Sequence, residues 1–99
     1  TITFIAPDMV GGEEYESDCK LDIWSLGAIL YKMVEGVYPF EGKNCKEVIY
    51  KILQVKLEFN KKIKLSLTLR LLIEGLLEKN QRFRIDNNSE LFKKWFENN

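Results

Sequence analysis

The 99 residues carry 15 Lys plus Arg against 15 Asp plus Glu, with 45% hydrophobic side chains. That is one globular unit with a modest core, and it gives no electrostatic reason to expect nucleic acid or a membrane as partner. The absence of histidine excludes Cys-His metal sites and His-based catalytic dyads.

Two cysteines, Cys19 and Cys45, lie too far apart in sequence to suggest a disulfide scaffold. No signal peptide is evident and no apolar run is long enough for a bilayer, so a cytoplasmic or nuclear, non-secreted protein is expected. Lys61, Lys62 and Lys64 cluster beside polar residues and read as a solvated face.

Along the chain, residues 1–5 are expected to be extended up to Ala6-Pro7. Proline suits a first helical turn and Asp8 follows where the helix dipole favours an acid, so a short helix is expected over Pro7–Val10. Gly11 to Ser17 reads as a loop. Ser17 or Asp18 can then cap a helix running to Glu35, with Gly36 as its left-handed stop. Within that helix Ile23, Trp24, Leu26, Ala28, Ile29, Leu30, Met33 and Val34 point in nearly every direction, as in a buried axis. Asp22 stands in its first turns, and a carboxylate entering a core needs donors.

Val37 to Gly42 is a turn-rich connection with Tyr38 and Phe40 expected inside. Asn44 and Glu47 have capping-box spacing, opening a helix to Gln54 with Val48, Ile49, Ile52 and Leu53 on one face. Val55 to Leu65 alternates only partly and reads as loop. Ser66 opens a helix to about Glu78 that buries Leu69, Leu72, Ile73, Leu76 and Leu77. Gly75, unfavourable inside it by about 1 kcal/mol, implies a close helix contact. A loop over Asn80–Asn88 precedes a last helix capped by Ser89, with Leu91, Phe92, Trp95 and Phe96 apolar. The sum is an all-α unit: four main helices plus one short helix, around a buried central helix.

Taken in order, these stretches resemble one family. Thr1-Ile-Thr-Phe-Ile-Ala-Pro-Asp8 resembles the Thr-x-x-Tyr-x-Ala-Pro-Glu end of the activation segment of eukaryotic protein kinases. Asp22-Ile-Trp-Ser-Leu-Gly27 is similar to the Asp-x-Trp-Ser-x-Gly of their central helix, and Pro39-Phe40 stands as expected in the turn after it. The stretch from Leu76 to Ile85, bearing Arg84, resembles their arginine-bearing loop, and Lys94-Trp95-Phe96 the end of their last helix. The calcium/calmodulin-dependent and calcium-dependent branch looks closest. The resemblance spans residues 1–99 but only the last third or so of a kinase domain, the end of the C-terminal lobe without N-lobe or catalytic loop.

The resemblance implies that Asp22 accepts hydrogen bonds from backbone amides of the catalytic loop, with Trp24 and Gly27 structural beside it. Asp8 is implied to pair with Arg84, tying the substrate-binding segment to the final helices. Aspartate is one methylene shorter than the family's glutamate, so a water-bridged or weaker pair is expected, with Arg82 the competing partner. Thr1 matches the threonine that contacts the catalytic aspartate in serine/threonine kinases. Ile2 and Ile5 would line the pocket for the residue after the phosphorylated one, or be plain core. Lys32 stands where some base-directed kinases carry a glutamate, so no basic-substrate preference is expected there.

Phosphoryl transfer needs a phosphate-covering glycine loop, a phosphate-pairing lysine, metal-holding Asp and Asn, and a catalytic aspartate. None of these occurs in the 99 residues. Gly36 to Lys43 only mimics a P-loop, since five residues separate its glycines and Asn44 replaces Ser or Thr. No cofactor is therefore expected in this chain, ATP and Mg being implied for a complete kinase. The residues alone are expected to be inactive, with the rest of the kinase domain and a protein substrate as partners. A non-catalytic module docking proteins through the helix over 44–54 is the alternative. An unrelated bundle, the third reading, would set Asp8 and Arg84 far apart. Without a catalytic loop, one side of the central helix is expected to lie bare, leaving Asp22 solvated or on a substitute partner and the isolated chain marginal or oligomeric.

Overall fold

A central helix with a different core on each side organises the molecule. The computed structural model describes residues 5–10, 18–86 and 88–98. Five helices follow in order: α1 (Pro7–Val10), α2 (Asp18–Glu35), α3 (Cys45–Gln54), α4 (Leu67–Leu76) and α5 (Glu90–Asn98), with no strand among the described residues. Helix α2 packs on α4, α4 on α5, and α1 on α3.

Trp24, Ala28 and Tyr31 of α2 join Phe40, Val48, Ile52, Ile73 and Leu77 in one core. Ile23 joins Leu72 and Leu76 in a second, closed over by Leu91, Phe92 and Trp95. Burying such side chains is worth about 1.5–3 kcal/mol each. Burial of α2 is not all-round, however. Asp22, Ile29 and Met33 lie on one face of the helix (i, i+7, i+11); Asp22 is exposed and the two apolar side chains are 46% and 74% exposed.

The helix ends follow local chemistry. Asn44 is extended and its Oδ1 accepts from Glu47 N at 2.9 Å, while Glu47 Oε2 reaches back to Lys43 N at 3.2 Å. Ser66 Oγ accepts from Leu69 N at 3.2 Å, and Gly36 takes φ +79°, a conformation open to glycine. Ser89, expected as a cap, instead accepts through Oγ from Asp86 N at 3.0 Å, while its carbonyl begins the bonding of α5 by accepting from Lys93 N.

Two local expectations need correction. Helix α4 stops at Leu76, because Leu77 turns to ψ 25° as its cap. Gly75 is close not to a helix but to the side chain of Ile85, 3.0 Å from where a Cβ would stand. Residues 55–65 are loop, as expected, and their partial alternation shows in the packing: Leu57 and Phe59 pack on the core while Lys56 and Glu58 face out. Tyr31 OH donates to Glu58 O, and Phe59 meets the Tyr31 ring at 5.5 Å.

Gly27 makes the α2–α4 contact possible. A Cβ there would fall 2.8 Å from Leu76 Cβ and 2.9 Å from Leu77 Cγ. Gly27→Ala gains about 1 kcal/mol of helix propensity but overpacks a rigid site at about 1–3 kcal/mol. A net loss of stability is expected, read as a lower urea midpoint at unchanged slope; a higher midpoint would contradict the close approach.

Candidate functional site

The loop after α4 turns one arginine inward and leaves its neighbour outside. Asn80 O accepts from the amides of Phe83 and Arg84, and Asn80 Oδ1 accepts from Arg82 N. This tight turn leaves Arg82 and Phe83 exposed and sends Arg84, 1% exposed, into the core. There all five guanidinium N–H donors are used. Nη1 donates to Asp8 Oδ2 (2.9 Å) and Lys20 O (3.1 Å), Nη2 to Asp8 Oδ1 (3.0 Å) and Lys79 O (3.2 Å), and Nε to Glu78 O (2.7 Å).

Asp8 is itself 2% exposed, so both charges leave water together. The pair is bidentate and direct, not water-bridged as the shorter acid suggested. Helix α1 carries Asp8 close enough to replace the missing methylene. Trp24, fully buried, covers the guanidinium at 5.0 Å and stacks on Phe40 with centroids 6.0 Å apart. Its Nε1–H has no acceptor among the described residues.

Asp8, Trp24 and Arg84 therefore converge, with Gly27 nearby on α2, its close neighbours on α4 and Leu77. Ile5 is half-buried; Thr1 and Ile2 lie outside the described residues. Asp22 is exposed, without an ion pair or side-chain hydrogen bond to another described residue, on the same open face as Ile29 and Met33. Lys32 places its ammonium 4.3 Å from the Tyr38 ring centroid.

Two lysines belong to the site that sequence reasoning passed over. Lys20 donates through Nζ to Arg84 O and lies 3.8 Å from Asp86. Lys79 donates through Nζ to Lys51 O (3.2 Å) and Ile52 O, with the Phe40 ring 4.0 Å away. Burial lowers its ammonium to about 8, against the smaller opposing effect of Glu78. No signal in the sequence separates either from a solvated lysine.

The family model for the protein kinase domain matches residues 1–96. The chain belongs to the protein kinase family. Phototropin-2 of Oryza sativa subsp. japonica is 40% identical over 89 residues, covering 90% of this chain and 10% of that protein. Serine/threonine-protein kinase Aurora-2 of Arabidopsis thaliana is 35% identical over 99 residues, all of this chain and 34% of the relative. Calcium-dependent protein kinase 5 of Plasmodium berghei is 36% identical over 95 residues, 94% of this chain and 16% of the relative. The chain thus spans about a tenth to a third of these relatives, and the branch expected from sequence is represented beside others.

Kinases use ATP and Mg, but the residues present do not fit them. The sequence holds no glycine loop and no Asp-Phe-Gly, and no group of three or more His, Cys, Asp or Glu among the described residues could hold a metal. The residues present instead join Asp8 to the loop between α4 and α5 through Arg84 and leave one face of α2 open. No described helix is long and apolar enough to cross a membrane.

Proposed function

We propose that these residues are the substrate-facing and scaffold part of a serine/threonine protein kinase, with the nucleotide-handling groups supplied by the rest of the domain. The observation that carries this reading is the open face of α2. A carboxylate and two apolar side chains share one stripe, on a helix otherwise sunk in two cores. A stripe of that kind suits a covering segment that brings amide donors for Asp22 and apolar groups for Ile29 and Met33. In this reading the covering segment is the catalytic loop. Thr1 contacts the catalytic aspartate, Ile2 and Ile5 line the pocket beside the phosphorylated residue, and the Asp8–Arg84 joint fixes that segment. ATP and Mg serve the complete domain, and the substrate is a protein.

The gene is read upstream of Thr1 for in-frame His-Arg-Asp and Asp-Phe-Gly signatures, and the longest product is assayed for γ-phosphate transfer to Ser, Thr and Tyr peptides. Transfer to Ser and Thr is expected, with Asp22→Asn lowering it by about 10–100-fold, the worth of one or two charge-assisted hydrogen bonds. A kinase-length frame without those signatures would overturn the reading. It would favour a second one, a non-catalytic module docking proteins on α3, where Tyr50 is 61% exposed beside exposed Lys46.

A further inference from the structure

Lys79, just beyond α4, joins two parts of the fold through two different groups. Its Nζ donates to the carbonyls of Lys51 and Ile52 in the last turn of α3, where the dipole is negative and Lys51 O also accepts from Val55 N at 3.0 Å. The helix's own last-turn cation is engaged elsewhere: Lys51 Nζ donates to Glu41 O at 2.6 Å and pairs with Glu47 at 3.5 Å. Meanwhile the backbone carbonyl of Lys79 accepts from Arg84 Nη2, whose other bond goes to Asp8. Hydrogen bonds therefore run without a break from Ile52 O through Lys79 and Arg84 to Asp8.

We propose that Lys79 is a positioning residue that couples α3 to the Asp8-bearing segment, its ammonium holding the last turn of α3 while its carbonyl seats Arg84. A shift of α3 is thereby felt at residues 5–10. The bearing of that shift on substrate rests on the proposed reading of residues 5–10 as substrate-facing; the coupling itself does not. Half-burial of the ammonium, with its pKa lowered to about 8, is a cost that a merely solvated lysine does not carry. The two carbonyls and the faces of Phe40 and Trp24, at 4.0 and 6.0 Å, offset it.

Amide hydrogen exchange of the 99-residue chain, resolved by NMR, tests this without any activity assay, so its outcome is independent of whether the kinase reading holds. Lys79→Met keeps the stem and removes the donors. It is expected to speed exchange about tenfold or more at residues 51–55 and at Met9, leaving the amides of Ala28 and Ile73 little changed. Lys79→Arg, which keeps charge and donors, is expected to restore most of the protection at both places. Coupling is reciprocal, so Asp8→Asn, with Lys79 intact, is expected to loosen residues 51–55 as well, and this variant decides the matter if Lys79→Met does not fold. Faster exchange at α3 alone, a uniform rise throughout the chain, no gain from arginine over methionine, or unchanged residues 51–55 in Asp8→Asn would each overturn the proposal.

Discussion

Arg84→Met is expected to cost about 3–5 kcal/mol, the usual toll of removing one partner from a buried ion pair. Against a total stability of about 5–15 kcal/mol for a domain, that leaves the chain barely folded. The reason lies in the bonding. Methionine strands the Asp8 carboxylate, 2% exposed, and at the same time withdraws a donor from the carbonyls of Lys20, Glu78 and Lys79. Asp8→Asn keeps the arginine and its three carbonyl bonds, so it is expected to cost less than Arg84→Met. The double variant Asp8→Leu/Arg84→Met removes both charges and is expected to be less damaged than the sum of the singles. Urea titrations followed by circular dichroism supply all three numbers. A loss under about 1 kcal/mol for Arg84→Met, typical of exposed pairs, would mean that the joint does not hold the fold.

Trp24→Ala is expected to be comparably severe, about 3–5 kcal/mol. Trp24 is wholly buried, stacks on Phe40 at 6.0 Å and roofs the Arg84 guanidinium at 5.0 Å. Its removal opens a cavity and admits water to the ion pair, so the two losses compound. Trp24→Phe keeps an aromatic face toward both neighbours and sheds an indole N–H that has no acceptor among the described residues. It is expected to retain most of the stability. A phenylalanine variant as damaged as the alanine one would show that ring volume and stacking are not what Trp24 contributes.

How much of this was legible depends on the range of the interaction. The cap at Asn44, the cap at Ser66 and the glycine stop at Gly36 were all readable, because each links residues no more than four apart. Helix α4 ends two residues before the sequence places its end, since Leu77 and Glu78 are as helix-compatible as what precedes them and only the turn of Leu77 out of helical geometry stops it. The pairing of Asp8 with Arg84, 76 residues apart, is reachable only through motif resemblance, which leaves Arg82 as a competing partner. Lys79 was not reachable at all. A lysine between a glutamate and an asparagine reads as solvated, and nothing local says that the end of α3 lies within reach.

The sequence by itself determined the all-α class, the element order and the apolar character of α2, because periodicity and capping are properties of neighbouring residues. That one side of α2 lies bare at Asp22 follows from the family resemblance; which residues share that side was decided only in three dimensions. An apolar wheel states that a helix can be buried all round, but burial requires something to lie over each face. In this structure Asp22, Ile29 and Met33 are open. The same holds for the charged groups: the chain supplies the carboxylates and cations, and the turn at Asn80 and the end of α3 select which of them meet.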